Sequence, residues 1–225
     1  MVARRETATQ RPDRLATFIA AGAWAAIVGG AALVISFLLE WLVVPYDKLG
    51  EAETYSSVSY QVASGLRLLG TILILWALLA LYDRQSSAAG TFGLWGFVVA
   101  FFGTALAAGN TWAEVFVWPT LAQVAPNVIR AMEANEQLAE ASSLQSGMGL
   151  SFPLFGVGIV LFGLATLRAG VYPRWAAGLL IVSIPLTTFL PRTPGTFYES
   201  IGQIVAGSAL MILGRYALRV SPTSA

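Results

Sequence analysis

The chain alternates between long apolar stretches and short polar ones, and six of the apolar stretches are long enough to cross a bilayer. A crossing helix needs about 20 mostly apolar residues. The pattern predicts spans near 15–40, 62–82, 91–117, 147–167, 172–190 and 198–219. The expected fold is therefore all-α, a polytopic membrane protein whose six transmembrane helices occupy residues 15–220. Residues 1–14 form a predicted cytoplasmic N-terminal tail and 221–225 a C-terminal one.

Charge sorts to alternate ends of these spans. With the N-terminus inside, the cytoplasmic segments hold Arg4, Arg5, Arg11, Arg14, Arg84, Arg168, Arg174, Arg215 and Arg219. Only Lys48, Arg67, Arg130 and Arg192 fall to the outer side, as the positive-inside bias requires. Glu6, Asp13 and Asp83 are the acids left inside. Trp41, Tyr46, Trp112, Trp118 and Tyr198 mark the outer interface, and Tyr82, Tyr172, Trp175 and Tyr216 the inner one. The basic N-terminal tail has the character of a signal-peptide n-region. The apolar run behind it is too long and shows no cleavage site, so the first span is read as a retained helix. Arg4-Arg5 also lacks the follow-on of a twin-arginine signal.

Composition removes whole classes of chemistry. Of 225 residues, 56% are hydrophobic and 11% charged, against roughly 25% charged in soluble domains. A net charge of +1 gives no basic face for nucleic acid. Without cysteine or histidine there are no disulfides, thiolate nucleophiles, histidine triads, typical zinc sites or histidine-ligated haems. The single lysine, Lys48, lies in a loop, which disfavours a Schiff base within the bundle. Asp13, Asp47 and Asp83 all lie outside the spans, which removes intramembrane aspartyl proteases and Asp-rich Mg²⁺-diphosphate motifs. No cofactor and no metal site are expected.

The outer connections at 45–61 and 119–146 are long enough for short interfacial helices. In the second, Asn127 is placed to cap a helix carrying Val128, Ile129, Met132 and Leu138, with Glu133, Glu136 and Glu140 towards water. A solvated connector is the competing reading.

Sliding the chain by 74 positions lays the first span on the third without a gap. Gly22 meets Gly96, Ala26 meets Ala100, Gly29 meets Gly103, Ser36 meets Asn110, Glu40 meets Glu114 and Pro45 meets Pro119. The second and sixth spans share a weaker pattern, Gly65…Gly70-Thr71 against Gly202…Gly207-Ser208. An ancestral in–out–in helical hairpin used three times would account for both.

The same alignment exposes the candidate site. Gly96, Ala100, Gly103, Ala107, Asn110 and Glu114 recur at helical spacing, and Gly22, Ala26, Gly29, Ser36 and Glu40 do so on the first span. Small residues let helices approach closely, so both stripes are expected to face the bundle, with Glu40 and Glu114 near its outer end. Arg67 lies about one turn inside the second span, and Glu199 and Gln203 open the sixth on the same side. A charge in the hydrocarbon costs about 2.5–3.5 kcal/mol on insertion scales, so Arg67 is expected to pair with Glu40, Glu114 or Glu199. Desolvation disfavours a carboxylate that lacks a full partner, leaving a group suited to exchange a proton or hold a cation. A purely structural ion pair is the stronger reading for Arg67, Glu40 and Glu199. Glu114 and Asn110 carry the stronger functional expectation, because apolar residues continue beyond them. Pro153 and Pro185 are expected to kink their spans, Gly149, Gly156 and Gly163 to pack helices, and Trp24 and Trp76 to face lipid.

The segment FGVGIVLFGLATLRAGVYPRWAAGLL, from Phe155 to Leu180, resembles a hairpin of bacterial six-helix integral membrane proteins of unknown function. Its turn runs Arg168-Ala169-Gly170-Val171-Tyr172-Pro173-Arg174-Trp175, with Gly170 ending one helix and Pro173 starting the next. The resemblance implies six helices and a bacterial inner membrane, and no activity.

Three functions follow. The first is a small binding or transport protein whose outward-facing pocket, lined by Glu114, Asn110, Glu40, Arg67, Glu199 and Gln203, takes a small ligand or ion. The second is a structural or accessory subunit, packed through its glycine-rich faces against a membrane-protein partner or a second copy. The third, and last in rank, is an enzyme that acts on a lipophilic substrate through Glu40 or Glu114 alone. The lipid bilayer is the partner common to all three.

Overall fold

Backbone N–H and C=O groups find no partners in hydrocarbon, so apolar segments of this length satisfy them internally as helices. The computed structural model describes residues 10–44, 50–134, 143–189 and 198–219, and among these it is helical, with no strand. Helix α1 spans Gln10–Val43, α2 Glu51–Ser56, α3 Val58–Val124 and α4 Pro126–Ala134. Helices α5, α6 and α7 span Ser143–Ala169, Arg174–Phe189 and Tyr198–Arg219. Lys48, Glu136, Leu138, Glu140, Arg192 and the predicted tails outside 10–219 lie beyond the described residues.

Four helices (α1, α3, α5 and α7) contain stretches long and apolar enough to cross a membrane, and α6 is a shorter apolar helix. Trp24, Trp95, Phe102 and Trp112 are each more than half exposed on the outside of the bundle. Apolar surface of that extent belongs in lipid rather than water. The protein is a helical membrane protein.

The 67-residue α3 differs from the two separate spans expected at 62–82 and 91–117. The polar link at 84–89 is itself helical, and the chain turns at one residue, Gly90 (φ 57°, ψ −155°), a conformation open only to glycine. Residues 58–89 and 91–124 then run back to back. Tyr82 stacks on Phe97 at 4.6 Å close to the turn, and Arg67 meets Glu114 near the far end. The N-terminal arm starts at Val58, four residues before the expected start, and is capped by Ser57, whose Oγ accepts the Tyr60 N–H. Arg67 is correspondingly deeper in its helix than the one turn expected.

The helices form a ring in which spatial order follows chain order. Helix α1 packs on residues 58–89, residues 91–124 on α5, α5 on α6 and α6 on α7, and α7 closes against α1. Close approach at glycines sets these seams. A Cβ on Gly103 would stand 2.6 Å from the Phe155 Cα, and one on Gly207 2.7 Å from the Gly30 carbonyl. The glycine stripe of α1 lies on residues 58–89, at Ala80 and Gly70, and the stripe of residues 91–124 lies on α5, at Leu161 and Phe155. The shared Gly70-Thr71 and Gly207-Ser208 pattern serves one neighbour, since Gly70 meets Gly29 and Gly207 meets Gly30 on α1. A Cβ on Gly65 would meet nothing within 4 Å, whereas Gly202 sits tightly against Ser183 and Thr187 of α6.

One half of the ring interior is plugged. Leu78, Leu81, Phe162, Leu180 and Leu213 are almost completely buried there. Beyond the plug, the Arg84 Nη1 donates to the Ala217 carbonyl at 2.6 Å, and the Tyr172 hydroxyl donates to the Leu81 carbonyl at 3.3 Å. The α5–α6 turn is as the sequence reading expects: Gly170 takes φ 66° after α5, and Pro173 precedes α6. Gln85, fully buried near this end, finds no hydrogen-bond partner for either amide atom among the described residues.

The opposite end carries a two-helix cap. Helix α2 fills the expected position in 45–61, and α4 fills that in 119–146, with Asn127 inside α4 instead of capping it. Ile129 is buried against Ala52 and Ala122, as its place on the expected apolar face requires. Tyr55 stacks on Trp118 at 5.8 Å, and the Arg130 Nη2 donates to the Glu53 Oε1 at 2.6 Å.

Two outcomes follow from this packing. Gln85→Met keeps the side chain's shape and removes two unsatisfied polar atoms, each costing about 1–3 kcal/mol. It is expected to raise the melting temperature in detergent, and a fall would show that the amide has a partner. The cap is expected to be acid-sensitive. Arg130, through its hydrogen bond, holds the Glu53 carboxyl below its ordinary value of 4.5. A folded-state value lowered in this way stabilises the cap above pH 4.5 and ceases to do so as pH falls through it. The protection of α4 amides, corrected for the intrinsic pH dependence of exchange, should fall as pH is lowered from 6 to 3, and Arg130→Ala should remove that fall.

Candidate functional site

Above the plug the ring encloses a cavity of about 290 Å³, to which α1, both arms of α3, α5, α6 and α7 all contribute. Its apolar wall includes Leu33, Phe37, Ile74, Phe152 and Phe155. Its polar wall includes Glu40, Arg67, Asn110, Glu114 and Gln203, with Thr71, Thr104, Thr111, Thr187 and Ser200. Most of these threonine hydroxyls are tied to their own helices: Thr71 to the Arg67 carbonyl, Thr104 to Ala100, Thr111 to Ala107 and Thr187 to Ser183, all within 2.9 Å. Such back-bonding hides a hydroxyl donor inside a helix.

Arg67 is the centre of the polar wall. Its Nη1 donates to the Glu114 Oε2 at 2.8 Å and its Nη2 to the Glu40 Oε2, while its guanidinium lies 4.6 Å from the centre of the Phe37 ring. The three charged side chains are 14%, 16% and 20% exposed for Arg67, Glu114 and Glu40, so the pairs are largely shielded from water. Shielding strengthens their attraction and raises the cost of leaving any one of them alone. One arginine thereby joins α1 to both arms of α3.

Asn110, one turn below Glu114, donates from Nδ2 to the Ser151 Oγ on α5. Ser36, its counterpart in the 74-residue alignment, donates to the Ala63 carbonyl of the neighbouring arm at 2.7 Å. Gln203 faces the cavity from α7 and makes no hydrogen bond among the described residues. Of the expected site residues, Glu40, Arg67, Asn110, Glu114 and Gln203 meet at this cavity. The Glu199 side chain lies outside the described residues. Glu114 and Glu40, both among the expected partners of Arg67, are both bonded to it. Trp24 and Trp76 face outward, as expected.

Sequence reasoning missed the aromatic wall. Phe37 lies one residue after Ser36 on the α1 stripe, and Phe155 one before Gly156, but an apolar residue among many carries no positional signal. No group of three or more acids among the described residues is arranged to hold a metal ion.

Removing the arginine leaves two shielded carboxylates facing each other. Arg67→Ala is expected to lower stability by about 3–5 kcal/mol, seen as a large drop in melting temperature in detergent. Combining it with Glu40→Leu and Glu114→Leu should restore much of the loss, because no unpaired charge remains.

No protein-family model matches this chain, and no curated protein or solved structure is significantly similar to it, so the reading of this site rests on its own geometry.

Proposed function

We propose that this is a six-span protein of the bacterial plasma (inner) membrane, both termini cytoplasmic, that binds or carries a small ligand or ion in the central cavity. The observation that carries this reading is the cavity itself. All the long apolar helical arms contribute to it, and they meet there around a shielded Arg67 with two carboxylates. A structural ion pair alone would need no adjoining space of about 290 Å³. Ligand sites are typically concave and largely apolar, with a few convergent polar groups.

Support for six spans comes from Gly90, which divides α3 into two arms that each exceed the crossing length, and from α6, which packs between α5 and α7. The Lys/Arg bias supports the orientation and puts the cavity nearer the outer surface. We also read α1 with residues 58–89, and residues 91–124 with α5, as two copies of one hairpin. In each, a glycine stripe on the first helix packs on the second, a polar residue (Ser36 or Asn110) bonds across the seam, and a glutamate follows. Duplicated hairpins that meet at a shared site are a recurrent plan in transporters.

The test is a thermal-shift screen of the purified protein against ions and lipophilic small molecules, run beside Glu114→Gln. A ligand held only by the native state raises the melting temperature, by the equivalent of about 2.7 kcal/mol at a hundredfold excess over Kd. A concentration-dependent rise in the wild type that is lost in Glu114→Gln is the expected result. A protein that melts normally and responds to nothing would overturn it in favour of an accessory subunit, to be sought by co-purification.

A further inference from the structure

The cavity's chemistry goes further than its existence, and we propose that it selects a small organic monocation: an ammonium group on an apolar body of about ten heavy atoms. This rests on the ligand-binding reading above. Among the described lining residues the ionisable groups are Glu40, Glu114 and Arg67, two negative charges against one positive. Arg67 already donates to both carboxylates, so an anionic ligand would meet an occupied guanidinium flanked by like charge. A cation meets the opposite field in a shielded site, where such interactions are strongest. Gln203 adds an amide, uncommitted among the described residues, whose oxygen accepts from an ammonium N–H.

Size and wall suit an organic occupant better than a bare inorganic ion. A volume of about 290 Å³ equals roughly ten water molecules at about 30 Å³ each, whereas Na⁺ or K⁺ needs only a tight shell of oxygens. Phe152 and Phe155 line the cavity from α5, and aromatic faces both bury an apolar body and attract cations. Arg67 already uses Phe37 in this way, at 4.6 Å.

The experiment is calorimetric titration of the full chain in nanodiscs with three molecules on one scaffold: 3-phenylpropylamine, 3-phenylpropan-1-ol and 3-phenylpropanoate. The amine is expected to bind at least about tenfold more tightly than the alcohol, the scale of one hydrogen bond to a charged group, and the carboxylate not to bind. Glu40→Gln and Glu114→Gln should each weaken the amine at least about tenfold, and the alcohol by much less. Each glutamine can still accept from Arg67, and an unaltered melting temperature would confirm folding. Ala107→Leu, which narrows the cavity without touching a charge, should abolish binding of amine and alcohol alike. Equal affinity for amine and alcohol, or preference for the carboxylate, overturns the cation proposal and leaves the cavity as a binding site. Failure of all three to bind folded wild type overturns the cation proposal, and the pocket reading falls with it only if the thermal-shift screen is silent as well.

Discussion

Arg67 gives its two terminal nitrogens to carboxylates on two other helical arms, and this shared ion pair is the interaction around which the polar end of the ring is organised. Each charge alone would be costly at this depth, and a cluster of three is tolerable only while its geometry holds. The arms must therefore keep a register in which Glu40, Arg67 and Glu114 are level. The seams provide it. Gly29 against Gly70 and Gly103 against Phe155 bring backbones close enough to lock the sliding of one helix on the next. Ser36 and Asn110 add bonds across those seams, close to the charges.

The two halves of the ring divide the labour. Leu78, Phe162, Leu180 and Leu213 fill one half, and Arg84 and Tyr172 tie its end together through backbone carbonyls. Close packing there gives the rigidity against which a cavity in the other half can remain open. The threonines along the cavity turn their hydroxyls into their own helices, so its polarity is concentrated in the arginine–glutamate cluster, Asn110 and Gln203. The cap of α2 and α4 sits over the arms of α3 and is held by Ile129, the Tyr55–Trp118 stack and an exposed ion pair, a weaker set of contacts than the seams.

Much of this was legible before any coordinates. Helix class, the membrane setting and the need of Arg67 for a partner among Glu40, Glu114 and Glu199 follow from apolar run length, glycine spacing and the cost of a lone charge in hydrocarbon. Ser36 and Asn110, which the 74-residue alignment pairs, each bond across a seam to the next helix, whereas Glu40 and Glu114 both reach the same Arg67. The sequence leaves open which of Glu40, Glu114 and Glu199 takes Arg67, because the choice of partner depends on side-chain reach across three helices. The break in α3 was equally hidden. Residues 84–89 are polar and read as a loop, yet they stay helical because Gly90 alone can absorb the reversal.

Sequence by itself therefore determined the elements, their amphipathic stripes and which charges had to find one another, since each is set by local periodicity or by the price of desolvation. Only the tertiary structure decided the order of helices around the ring, the plug in one half and the aromatic-walled cavity in the other. Those depend on how side-chain volumes from six helical arms add up at one place, and no local pattern encodes the space that such a sum leaves empty.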